Sequence, residues 1–237
     1  MTTQCHWKSV HHSKTASKIG LYRVHTATSF ALIRQSAFDQ NASIIDSGGG
    51  RSTLIDDLIE LGYTDSTALD ISAPDRKDVS LTAQRYEVWH DRTVSDFLAD
   101  AARRTAFAPQ VRRAVKPGGF VILATVGPEG LVQSSGLWVL RSGCDTLHGE
   151  SGPDCELLYS RVEHHKTRSG VGQQFVDCYC KPTGAAWRHD GTGSGVSMHM
   201  NAQLTLGASI VPIAQRETCW RPLSPSRPTS LTDRRKR

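Results

Sequence analysis

No stretch of this 237-residue chain approaches the roughly 20 consecutive apolar residues of a membrane-crossing helix, which excludes an integral helical membrane protein. The opening residues, MTTQCHWKSVHH, contain no apolar run and little arginine, so no leader peptide is expected there and the chain is read as cytoplasmic. Cysteine is sparse, six in all, and is not spaced as a disulfide framework; a reducing compartment is the expectation. A G-x-x-x-x-G-K-[ST] loop is missing, which leaves nucleotide hydrolysis without a motif. With 38% apolar and 22% charged residues, the chain can bury one sizeable core but not several.

The charge that is present is unevenly distributed. Lys and Arg number 28 against 23 Asp and Glu, a formal +5. Residues 182–237 hold eight of the basic groups and three of the acids, so 1–181 is balanced at 20 against 20. Five of the ten prolines, a GTGSGVS run and a terminal RRKR also lie in 182–237, around one short apolar patch at 204–213. Proline removes a backbone donor and breaks periodicity, so this segment is expected to be an irregular basic tail on a folded domain spanning 1–181. Nucleic acid is then a partner only through the tail, whose RRKR reads first as a solvated end.

Within 1–181, strand-like and helical runs alternate. SIID (43–46), STALDI (66–71), YEVWH (86–90) and FVILAT (120–125) read as strands. Leu54, Ile55, Leu58, Ile59 and Leu61 mark a helix that Gly62 ends, with Thr53 and Asp56 spaced as a capping pair. Residues 94–115 read as a second helix that Pro109 should kink or divide, followed by a type II turn at Lys116-Pro117-Gly118-Gly119. CELLYSRVEHH and QQFVDCYCK flank a turn and predict a closing hairpin. The expected fold is α/β: a Rossmann-like, doubly wound, mostly parallel sheet with a C-terminal antiparallel hairpin.

The stretch that carries chemistry is Ile44-Ile45-Asp46-Ser47-Gly48-Gly49-Gly50, a strand running into a glycine turn before a helix. Glycines admit positive φ and close approach of a ligand, and the helix start beyond them offers unpaired N–H groups. About twenty residues on, Asp70 ends a second strand, where a carboxylate can accept from ribose hydroxyls. The turn is not a complete G-x-G-x-x-G, because Arg51-Ser52-Thr53 follows Gly50.

Through HWKSVHH, Leu21-Tyr22-Arg23, IIDSGGGRSTL, ALDIS, YEVWHDR, VRRAVKPGGFVILAT and FVDCYC, nearly all of 4–181 resembles the class I S-adenosylmethionine-dependent methyltransferases. The likeness is to the compact bacterial members related to eukaryotic protein-lysine methyltransferases. The resemblance implies an enzyme that transfers a methyl group from S-adenosylmethionine to a small-molecule or protein side-chain acceptor. It implies that Asp46 and Gly48, Gly49 and Gly50 form the loop under the methionine moiety. Asp70 would hold the ribose, Ile71 would lie beside the adenine, and Tyr22 near the cofactor. His90, Asp91 and Arg92 would face the methyl group and acceptor, with His90 and Asp91 as candidates to take the acceptor's proton.

One departure stands out. Only residues 73–85 separate the Asp70 strand from YEVWH, too few for a crossover helix, a third strand and a return. The expected sheet therefore lacks one crossover helix and most of its third strand, with Asp78 as the remnant of the acidic group at the adenine. The loss should open the adenine side of the pocket, bare a sheet edge and leave S-adenosylmethionine binding weak or absent. A non-catalytic methyltransferase-like binding module is the alternative. Simpler roles also exist for the residues: a tight turn for Gly48–Gly50, helix caps for Asp70 and Asp91, a strand end for His90. Cys178 and Cys180 with His164 and His165 make zinc conceivable, but the spacing is poor and buried thiols are the simpler reading.

Overall fold

The computed structural model describes residues 6, 9, 27–49, 52–70, 81–97, 101–152, 154–166, 170–183 and 209–212. Ile44 and Ile45 lie in β1 (Ser43–Ser47), and both are fully buried although they point to opposite faces. Only a strand covered on both sides buries two neighbours in this way, and each buried isoleucine contributes about 1.5–3 kcal/mol. The parallel neighbours of β1 are β2 (Asp65–Asp70) and β3 (Tyr86–Arg92), and β3 pairs in parallel with β4 (Val115–Val126). Two antiparallel strands, β7 (Cys155–Lys166) and β8 (Gly172–Pro182), close the far side. A separate two-stranded ribbon pairs β5 (Gln133–Ser134) with β6 (Leu137–Trp138).

Helices cover both faces. Against one lie α1 (Ala27–Gln35) and α2 (Leu54–Glu60), whose Leu32, Ile33, Leu54, Ile55 and Leu58 pack on Ile44, Val88, Ile122 and Tyr179. Against the other lie α3 (Ala101–Ala114) and α4 (Cys144–Ser151), whose Phe107, Val111 and Leu147 meet Ile45, Trp89, Leu123 and Cys178. Trp89 meets Phe107 edge to face at 5.9 Å. Thr28 donates a 2.9 Å hydrogen bond to Glu163, tying α1 to β7. Among the described residues no helix is long and apolar enough to cross a membrane.

The doubly wound sheet with its antiparallel hairpin is as expected, and no strand comes from the described part of the 71–85 connection. With Ser209–Pro212 as β9, the order is β7-β8-β4-β3-β1-β2-β9, so the edge expected to be bare is covered. Its cover, β9, is antiparallel to β2, with Asp70 opposite Ser209 and Thr67 opposite Pro212. The expectation of an irregular 182–237 therefore fails for these four residues, which come from the apolar patch within the tail. Pro212, lacking an N–H, is tolerated on an outermost strand.

Smaller differences are local. Thr53 makes no side-chain cap; Ser52 Oγ accepts the N–H of Leu54 at 3.1 Å instead. Ile59 and Leu61 are exposed, so the buried stripe of α2 is narrower than expected. Within the predicted 94–115 helix, Ser95–Phe97 form a 3₁₀ turn and α3 runs through Pro109. The Lys116–Gly119 turn is folded into β4 as a bulge: pairing steps from Tyr86/Val115 to Val88/Phe120, with Gly118 at φ +82° as a type II turn requires.

Candidate active site

The parallel strands β1, β2 and β3 end level with one another. Asp46 lies opposite His90 and Ala68, and Ser47 lies opposite Asp91 and Leu69. Side chains alternate along a strand, so Asp46, Asp70 and His90 share the α1–α2 face, while Ser47 and Asp91 share the other. Beyond Ser47 the chain turns at Gly48, φ +75°, whose N–H donates to Leu69 O at 2.7 Å. A β-carbon on Gly48 would stand 2.3 Å from a methyl of Val94, so both conformation and space exclude a side chain. A β-carbon on Gly49 would stand 2.6 Å from Asp46 Oδ2.

On the α1–α2 face, His90 Nδ1 and Asp46 Oδ1 are 2.7 Å apart, with both residues 1% exposed. The other two polar atoms of this pair, His90 Nε2 and Asp46 Oδ2, are buried with no hydrogen-bond partner among the described residues. Asp70 ends β2 on the same face and is largely buried. Arg92, two residues after His90, lays its guanidinium over Phe175 at 4.2 Å, a cation–π contact.

Asp91 does not join His90. It lies on the opposite face, fully buried, and accepts the Val94 N–H at 3.1 Å and the Ser47 hydroxyl. It thereby ties the turn after β3 to β1, the capping role of a strand-end carboxylate. Burial, only partly offset by these hydrogen bonds, pushes its carboxyl up to about 7. Asp96 has the same character: it accepts from Thr125 Oγ1 and from the Val126 N–H (3.0 Å), and burial pushes it up to about 7. Asp96 is not among the residues expected from the sequence. The available signal was an acid five residues after Asp91, at the start of the helix that follows the strand.

Of the other expected residues, Tyr22, Gly50, Ile71 and Asp78 lie outside the described residues. Cys178 and Cys180 are opposite Ser160 and Leu157, whereas His164 and His165 are opposite Gln174 and Gln173, further along the hairpin. The zinc set is therefore not assembled, and the described residues contain no group of three that could hold a metal. Instead Cys178 Sγ lies 3.3 Å from Cys144 Sγ, and burial pushes its thiol up.

No family model matches the chain, and no curated protein matches it. Solved structures do match. One comes from work on the conversion of a disulfide bond into a thioacetal group during echinomycin biosynthesis (TM-score 0.60, 14% identity, 77% of this chain and 94% of that one). Another is the 1,6-didemethyltoxoflavin-N1-methyltransferase of Burkholderia thailandensis, with its substrate and S-adenosylhomocysteine bound (TM-score 0.57, 11% identity, 76% and 87%). A third is a SAM-dependent methyltransferase from Anabaena variabilis (TM-score 0.52, 14% identity, 76% and 93%). The chain has the fold of the class I S-adenosylmethionine-dependent methyltransferases, with its edge strand supplied from the C-terminal segment.

Proposed function

We propose that this chain transfers a methyl group from S-adenosylmethionine to a small-molecule nucleophile. One observation carries the reading: a side-chain-free glycine turn, Asp70 and a buried histidine meet at the level C-terminal ends of three parallel strands. In an open α/β sheet, that is where ligands bind. The residues fit the cofactor. The backbone of Gly48 and Gly49, continued by Gly50, would pass under its methionine portion, and Asp70 would accept from the ribose hydroxyls. Tyr22, Ile71 and Asp78 are carried in the same proposal as further cofactor contacts. When bound, S-adenosylmethionine supplies a methyl group on a positively charged sulfur that leaves as a neutral thioether, keeping the bonding pair.

What remains for the protein is to align the acceptor and take its proton. His90 is the group proposed for the second task, because its Nε2 is the ring nitrogen left without a partner. Asp91 is assigned to the turn instead, since its carboxyl is committed to the Val94 N–H on the other face. The B. thailandensis enzyme acts on a small heterocycle, which supports a small-molecule acceptor over a protein. Strand β9, in covering the edge next to Asp70, supports a competent pocket over an open one. Calorimetric titration with S-adenosylmethionine tests the proposal: micromolar binding, abolished in Gly49→Val, is expected. No heat from the folded chain would overturn it and favour a non-catalytic binding module.

A further inference from the structure

We infer that Asp46, beyond any contact with the cofactor, is a positioning residue for His90. It fixes the imidazole in the tautomer that carries its hydrogen on Nδ1 and leaves Nε2 bare. The identity of what meets Nε2 rests on the methyl-transfer reading, whereas the tautomer rests on geometry alone.

A carboxylate can only accept, so an imidazole nitrogen 2.7 Å from Asp46 Oδ1 is the one that holds the hydrogen. The neutral ring has one N–H, and placing it on Nδ1 makes Nε2 an acceptor. Two features make the arrangement specific. Asp46 and His90 are paired partners on adjacent parallel strands, buried on both sides, so neither backbone can move the side chains apart. Gly49 gives the carboxylate its room: a β-carbon there would lie 2.6 Å from Oδ2 and 2.9 Å from Cγ of Asp46, and would push the carboxylate off the imidazole. The glycine turn thus serves the histidine as well as the ligand.

The consequence for chemistry is direct. As the acceptor forms its new bond to carbon, the proton it sheds passes to His90 Nε2, and the Asp46 carboxylate stabilises the resulting imidazolium. An Nε2–H tautomer could not do this, because its lone pair would face Asp46.

The experiment is a long-range ¹H–¹⁵N spectrum of the full chain labelled with ¹⁵N-histidine, at pH 8. The His90 signals are those lost in His90→Gln. Nδ1 is expected at a protonated shift and Nε2 at an unprotonated one. Asp46→Leu, which removes the acceptor at Nδ1, should mix or exchange the two. Should that variant fail to fold, Gly49→Ala keeps the carboxylate but displaces it, and should mix the tautomers. Hydrogen on Nε2 in the wild-type chain, or a folded variant with unchanged His90 signals, overturns the inference. Titrating the same sample with S-adenosylmethionine separates the two readings. No binding alongside the expected tautomer removes methyl transfer and leaves the role of Asp46 toward His90 standing.

Discussion

Two buried carboxyl sites sit back to back at one end of this sheet, one on β1 and β3, the other on β3 and the 3₁₀ turn that follows it. On the α1–α2 face Asp46 meets His90; on the α3–α4 face Asp91 and Asp96 meet backbone N–H groups and hydroxyls. The first carboxylate hydrogen-bonds a partner that can carry positive charge, while the second pair takes its hydrogen bonds from neutral donors and only charge attraction from His90 and Arg92. Together these do not offset burial, and Asp91 and Asp96 are pushed up to about 7. One face therefore keeps a polar pair whose His90 Nε2 and Asp46 Oδ2 are both unsatisfied, suited to a ligand, whereas on the other Asp91 leaves Oδ2 without a partner among the described residues while its Oδ1 is bound. The other uses its acids as fasteners for the turn that packs on Gly48.

Removing His90 should give the largest effect on this comparison. His90→Ala leaves Asp46 as a buried, unpaired charge, and such a break costs about 3–5 kcal/mol. Urea unfolding at pH 8 checks it; a loss under about 1 kcal/mol would mean that the pair is not buried as a unit. On the other face, Asp96→Ala strands Thr125 Oγ1 and the Val126 N–H without their acceptor, for an expected loss of about 2 kcal/mol by urea unfolding at pH 4, where the folded carboxyl is neutral. Asp96→Asn keeps an acceptor and should recover most of that loss, which separates the lost hydrogen bonds from lost volume.

Much of this arrangement was legible in the residues, and what was not has physical reasons. Asp46, Gly48 and Asp70 stand at strand ends as expected, because apolar runs stopped by carboxylates and glycines are local signals. That His90 and Asp91 cannot face one acceptor was also legible, since adjacent strand residues alternate. The Asp46–His90 contact spans 44 positions, and nothing local announces it. The same holds for β9, which reaches β2 from about 140 positions away along the chain. Helices α1 and α4 are not legible in the sequence because ATSFALIRQ and CDTLHGES are short and carry little apolar periodicity.

The pH dependence of the fastening face gives the smallest expected effect per unit of pH, about 1 kcal/mol. Asp91 keeps its proton up to about 7 when folded and loses it near 3.8 when unfolded. Between those values the native state binds the extra proton, so this group makes stability fall as pH rises, the reverse of an ion-paired carboxylate. Above about 7 both states are ionised and the slope vanishes. At pH 5 the unfolded Asp91 is already largely ionised while the folded one is not, so Asp91→Asn, a near-isostere of the neutral acid, should be the more stable by about 1.5 kcal/mol. Between pH 6 and 7 the wild type should lose about 1 kcal/mol that the variant keeps. Urea unfolding of both proteins at half-unit steps from pH 5 to 8 measures the difference. Parallel curves would show that Asp91 is ionised in the fold, and the contrast between the two faces would collapse.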